Sequence, residues 1–207
     1  MVKLYVEGGG ESSDLKTACR VGFSKFLRKA GLEGKMPRIV ACGSREDAFD
    51  SFCTAIKHGE CAYLLVDSEE AVATTHQQGN PDQWKPWAHL LQSDSWEKPN
   101  SATDLECHLM VQCMEAWFIA DRQATATFFA KSFKEDQLPS ATRPIESVSK
   151  QQLYDTLKAA TKDCQTKGQY DKGAHSFKLL AMLDPTKVIA VSPWGKRLID
   201  TLGERMK

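Results

Sequence analysis

No run of apolar residues in this 207-residue chain approaches the roughly 20 that a bilayer-spanning helix needs. No basic, apolar leader comes first either. Met1-Val-Lys-Leu opens directly into a strand signal, so a cytoplasmic protein with no membrane partner is expected. Neither sign of charge is in excess, since 27 Lys and Arg face 27 Asp and Glu. That balance withholds support from strong non-specific nucleic-acid binding, which rests on a basic surface, but leaves room for a local basic patch. Cysteine pairs at metal-ligand spacing are missing. The seven cysteines (19, 42, 53, 61, 107, 113 and 164) include no CxxC and read as small buried residues of a reducing compartment. Cys107, His108 and Cys113 have the wrong spacing for the usual zinc motifs. Nucleotide fingerprints are absent as well. After Gly8-Gly9-Gly10 a dinucleotide loop needs Gly at 13, where Ser13 stands, and no Gly-Lys-Ser/Thr follows, so ATP hydrolysis by this chain alone is not expected. There is no internal repeat and no low-complexity segment.

Hydrophobic content of 42% and charged content of 26% are those of a globular protein with one sizeable core. The first half alternates strand and helix signals. An apolar strand at 2–6 precedes a helix capped by Ser12 or Ser13, with apolar residues recurring at three and four from Leu15 to Leu27 and a stop at Gly31. A strand at 38–42 leads to a helix opened by Ser44 with Asp47 three residues on, and the strand at 61–66 follows. This order predicts right-handed crossovers and a parallel sheet. Residues 68–101 are polar yet carry Trp84, Trp87 and Trp96. They are expected either to flap over the sheet edge or to be pinned to the core by the tryptophans. A strand at 108–112 and one helix from Glu115 to about Lys131 follow. The remainder is helical, at about 150–162, 175–183 and 193–206, with Pro185 suited to the first turn of a helix. The expected organisation is an α/β core over 1–131 with the 68–101 insertion, and a helical extension over 132–207 packed on it.

Two of these strands close on acids. Lys3-Leu-Tyr-Val-Glu-Gly-Gly ends on Glu7, and Ala62-Tyr-Leu-Leu-Val ends on Asp67-Ser68-Glu69. Neighbouring parallel strands place such ends on one edge, where open α/β folds bind ligands. Three clustered carboxylates repel one another unless a divalent cation neutralises them, and an all-oxygen site suits Mg²⁺ or Mn²⁺. Metal-dependent chemistry on phosphate esters is the expectation, although a strand-end acid also serves as a plain helix cap.

Val-Glu-Gly after the first strand with Asp-x-Glu after a later one resembles the Toprim domain shared by topoisomerases, primases and OLD-type nucleases. The likeness covers about the first half of the chain. Over its whole length the chain is similar to a bacterial family of uncharacterised function usually grouped with Toprim-like domains. Tyr5-Val-Glu-Gly-Gly-Gly, Arg38-Ile-Val-Ala-Cys-Gly, Met110-Val-Gln-Cys-Met-Glu-Ala-Trp and Tyr170-Asp-Lys-Gly carry that similarity. The resemblance implies a Toprim-like (Rossmann-like) fold and a Mg²⁺- or Mn²⁺-dependent nuclease acting on DNA or RNA. It further implies an effector role in anti-phage defence beside a partner ATPase. In that scheme Asp67 ligates the metal directly, Glu69 directly or through water, and Glu7 is a second ligand or a general acid/base. The family's final acid is commonly Asp, so Glu69 reaches about a methylene further. A non-catalytic regulatory or scaffold subunit of the same fold is the rival reading.

Three further residues qualify. Glu115 follows the strand at 108–112 as Glu7 and Asp67 follow theirs, and is a candidate metal ligand, although an acid in a first helical turn is also favoured by the dipole. Lys172 and His175 stand beside Gly173 at a helix start, where a phosphate can meet backbone N–H groups. Lys172 is the expected transition-state cation, and His175 the contact to phosphate or leaving group. Asp121, six residues after Glu115, is expected to be structural.

Overall fold

The computed structural model describes residues 1–206. Four strands, β1 (Lys3–Gly9), β2 (Arg38–Gly43), β3 (Ala62–Asp67) and β4 (Cys107–Met110), form one parallel sheet in the order β2-β1-β3-β4. Strand alternation divides the side chains of β1 between two cores. Leu4 and Val6 enter one with Phe23, Phe26 and Leu27 of α1 (Ser13–Leu27), whereas Tyr5 enters the other with Ala48, Phe52 and Ile56 of α2 (Arg45–Lys57). Helices thus cover both faces, and all six residues of β3 are buried. The architecture is α/β and Rossmann-like, as expected. Phe52 is fully buried, and its truncation to Ala would cost about 3–5 kcal/mol.

Ser44 caps α2 through a reciprocal box with Asp47. The 68–101 region is not a free flap. It carries α3 (Pro86–Asp94), and its tryptophans pin it down: Trp84 lies 4.7 Å from Trp194, and Trp96 stacks on Phe49 at 4.5 Å. The Trp87 indole donates to the Thr103 carbonyl at 2.9 Å.

The single helix expected from Glu115 to Lys131 is two, α4 (Ala116–Ala120) and α5 (Arg122–Phe129). Asp121 breaks it with φ −110° and ψ 72°. Its carboxylate caps α5 at Ala124 N–H, accepts from Asp184 N–H at 2.9 Å and pairs with Lys187 at 2.8 Å. Helices α6 (Lys150–Thr161), α7 (Lys172–Leu180), α8 (Pro185–Val191) and α9 (Pro193–Arg205) follow. Leu153, Phe177, Val188 and Leu198 from these helices share the α1-side core, so the helical part from 132 to 206 packs into the α/β unit. α9 covers β4, where the buried Arg197 guanidinium donates to the carbonyls of Cys107 (2.8 Å), Asp104 (2.6 Å) and Pro81 (2.7 Å). Among the described residues no helix is long and apolar enough to cross a membrane.

A candidate acidic site at the switch point of the sheet

In the order β2-β1-β3-β4 the chain leaves β1 toward one flank and returns to the other, so the connections diverge between β1 and β3. That divergence opens a crevice at the carboxyl ends of the two strands, the usual ligand position in such sheets. Glu7 lies where the β1–β2 register shifts, and Asp67 is the last residue of β3. One ligand oxygen each from Glu7, Asp67 and Glu69 lies within 4.8 Å of the others, so the expected convergence of these residues is observed. Backbone donors fix them. Asp67 N–H donates to Glu7 Oε2 at 3.0 Å, Met114 N–H to Asp67 Oδ1 at 2.9 Å, and Glu69 N–H to the Gln112 carbonyl at 2.9 Å. Glu69 holds a left-handed φ of 65°, which costs a non-glycine residue on the order of 1 kcal/mol.

Glu115 belongs to the same centre. It is completely buried, and a second set of ligand atoms, from Asp67, Cys113 and Glu115, also falls within 4.8 Å. Its Oε1 accepts from the Tyr170 hydroxyl at 2.8 Å and from Ser176 Oγ at 3.4 Å, while Oε2 has no protein partner. Lys172 reaches the site too, with Nζ 3.9 Å from Asp67 Oδ2. His175 does not join it. One turn further along α7, its ring is enclosed by Phe128, Phe129 and Tyr170, and Nδ1 accepts from Asp171 N–H at 3.0 Å. Burial, the first cause, holds its pKa below the ordinary histidine value.

Two cations not anticipated from the sequence complete the ring. Lys150 pairs with Glu69 Oε1 at 2.5 Å and Asp67 Oδ2 at 3.5 Å. Arg45 holds Asp94 through its two terminal guanidinium nitrogens, while its Nε stands 3.7 Å from Glu7 and from Glu69 and donates to the Asp67 carbonyl at 3.1 Å. The three cations share one local context. Arg45, Lys150 and Lys172 are the first residues of α2, α6 and α7, directly after the caps Ser44, Ser149 and Asp171. A cation at a helix N-terminus opposes the helix dipole, so three of them aimed at one point are sustained by the acids they face. That pattern, a cap followed by a basic residue, was legible in Ser44-Arg45, Ser149-Lys150 and Asp171-Lys172.

The electrostatics follow from burial. Asp67 is held well above the usual carboxylate range, by burial first and then by the charges of Glu7 and Glu115, against Lys172 and Lys150. Glu7 is raised by burial, against the Asp67 N–H and the nearby cations. Burial opposes the Lys150 ammonium, yet Asp67 and Glu69 outweigh it and raise its pKa to about 12. Lys172 is likewise raised by Glu115 and Asp67 despite burial. Without further cations Asp67 and Glu7 therefore hold a proton more tightly than free carboxylates do, while the two lysines are held charged. With all groups ionised, the five carboxylates of Glu7, Asp67, Glu69, Asp94 and Glu115 against three cations leave a formal charge of −2, which one divalent cation balances. A cleft of about 680 Å³ beside α5, lined by Gln123, Arg143 and Val191, contains none of these carboxylates.

No curated protein and no solved structure matches the chain. A family profile matches residues 6–203, from the middle of β1 through nearly all of α9 and so across the whole acidic site, and the chain belongs to the family described as Domain of unknown function (DUF4276).

Proposed function

We propose that this protein is a Mg²⁺- or Mn²⁺-dependent phosphodiester hydrolase acting on nucleic acid, built on a Toprim-like scheme. The observation that carries the proposal is the cluster of Glu7, Asp67 and Glu69 within 4.8 Å, ringed by Arg45, Lys150 and Lys172. The donor set fits such a cation, since carboxylate oxygens suit hard divalent ions and Glu115 Oε2 is a buried acceptor without a protein partner. Glu7, Asp67 and Glu69 would hold the cation, with Glu115 at its inner side. A bound ion of this kind supplies Lewis-acid stabilisation of phosphoryl oxygens and a water of lowered pKa.

The chain's own residues do the rest. Lys172, half-exposed over the Tyr154 ring, and Lys150 can bind the non-bridging oxygens of a phosphodiester, where charge grows in the transition state. Arg45 is held by Asp94 and so orients Glu7 and Glu69. Formal neutrality of the whole chain fits a substrate held locally at one ring of cations. An effector role in anti-phage defence beside a partner ATPase belongs to this proposal through the Toprim resemblance.

A second reading has its own support. The ion pairs of Lys150, Lys172 and Arg45 satisfy much of the acidic charge from within, as a non-catalytic scaffold subunit requires. The deciding experiment incubates purified protein with labelled single-stranded DNA, double-stranded DNA and RNA in Mn²⁺ and in chelator. Cleavage that needs Mn²⁺ and disappears in Glu69→Gln supports the enzyme. Absence of cleavage together with no metal-induced rise in Tm supports the scaffold.

A further inference from the structure

Behind the oxygen cluster lies a second group of different chemistry. We propose that Asp67, Cys113 and Glu115 form an inner site for a thiophilic divalent cation of the Zn²⁺ class, adjoining the oxygen-only outer site. The proposal rests on reading the strand-end acids as a metal centre.

All three side chains are buried, Asp67 to 2% and Cys113 and Glu115 to 0% exposure, and their ligand atoms lie within 4.8 Å of one another. Glu115 is fixed by the protein through one oxygen and free at the other, while Asp67 is fixed through Oδ1 and faces Lys150 and Lys172 with Oδ2, at 3.5 and 3.9 Å. Met114 N–H holds Asp67 Oδ1, and the Tyr170 hydroxyl and Ser176 hold Glu115 Oε1. Such outer partners orient metal ligands. Glu115 Oε2 is left without a partner in a place no solvent reaches, and an acceptor so abandoned costs about 1–3 kcal/mol unless something occupies it. The Tyr154 hydroxyl, in the field of the Glu115 and Cys113 charges, has no partner either.

The donor types choose the ion. A thiolate with two carboxylates favours Zn²⁺ or Co²⁺ over Mg²⁺, which takes oxygen alone. Tetrahedral Zn–S and Zn–O bonds set ligand atoms about 3.5 Å apart, so three atoms within 4.8 Å of one another need to close by at most about 1.3 Å. Three protein ligands also leave a fourth position open to water. The charges close as well. Two divalent cations in a pocket of formal charge −2 leave an excess of two positive charges; the ionised Cys113 removes one and a bound phosphodiester the other. On binding, the Cys113 thiol loses its proton to solvent and no electron is transferred. The spacing of Cys107, His108 and Cys113 suggested no zinc motif, and in the structure Cys107 and Cys113 belong to opposite cores while His108 Nδ1 lies 3.1 Å from the Arg197 guanidinium.

The test titrates chelator-treated protein with Co²⁺ and follows the near-ultraviolet thiolate-to-cobalt charge-transfer band. The wild type should develop one band per chain, displaced by Zn²⁺. Cys113→Ser should lose it, and Cys61→Ser, which alters an exposed thiol, should retain it. Glu115→Gln keeps the thiol and the shape, and should weaken Co²⁺ by more than the roughly 10–100-fold that loss of an outer partner costs. It also serves if Cys113→Ser fails to fold. No band in the wild type, a band that survives Cys113→Ser, or unchanged affinity in Glu115→Gln overturns the proposal. In Glu69→Gln the band should persist while Mn²⁺-dependent cleavage is lost. A band without any cleavage in the wild type would sink the hydrolase and leave the inner site standing.

Discussion

Replacing Asp67 in two ways separates its charge from its hydrogen bond. In the metal-free protein the carboxylate is buried among Glu7 and Glu115, and its Oδ1 receives the Met114 N–H at 2.9 Å. Asp67→Asn keeps the carbonyl oxygen for Met114 and removes the charge. Lys150 keeps Glu69 at 2.5 Å in the variant. Asp67→Ala removes both and strands a buried N–H, which costs about 1–3 kcal/mol relative to Asn. For a chain of this size that is a Tm difference of about 2–12 °C. The pH dependence has a defined sign. Because the folded pKa of Asp67 is raised, the native state holds its proton more tightly than the unfolded chain. Its contribution to stability is full below the ordinary carboxylate value and is lost as pH rises through the raised one. Each additional proton retained by the native state gives a slope of about −1.4 kcal/mol per pH unit. Urea unfolding of the three proteins in chelator, at intervals from pH 4 upward, should show wild-type stability declining with pH. The Asn variant should decline less steeply, and Ala should lie below Asn throughout. Neither variant should hydrolyse substrate. An Ala variant as stable as Asn, or a wild-type profile that rises with pH in that window, would refute this account of the site.

Four further outcomes are expected. Saturating the outer site with Mn²⁺ at 100 times its Kd should stabilise the wild type by about 2.7 kcal/mol, a rise in Tm that chelator reverses and Glu69→Gln abolishes. Lys172→Ala should lower kcat while leaving Mn²⁺ affinity, read by calorimetry, nearly unchanged, because its contact forms with substrate. His175→Ala should lower Tm, by about 1–3 kcal/mol of lost packing between Phe128, Phe129 and Tyr170, with kcat preserved at a temperature where it remains folded. Gly8→Ala should destabilise the protein or prevent its expression: at φ 132° an added Cβ meets Phe177 at 2.6 Å, so far-ultraviolet circular dichroism and solubility are the readouts.

Local patterning carried the parallel sheet and four of its acids, Glu7, Asp67, Glu69 and Glu115. Apolar runs of strand length, ended by Glu7 and Asp67 and separated by well-capped helices, admit few arrangements once crossovers must be right-handed. Because both residues end parallel strands, their meeting at one edge followed from topology alone. Other features depended on contacts that no local pattern encodes. The helix after Glu115 breaks at Asp121 because its carboxylate is claimed by Asp184 and Lys187, some sixty residues away. His175 and Lys172 stand three residues apart on one short helix, yet the rings of Phe128 and Phe129 take the histidine while Asp67 takes the lysine. Lys150 and Cys113 became part of the site only when α6 and the turn after β4 were folded against the sheet edge. Sequence periodicity records which face of an element is apolar. Which distant charges meet is decided by burial, where a carboxylate without a counter-charge or a proton is too costly to keep, and only the packed tertiary structure supplies those partners.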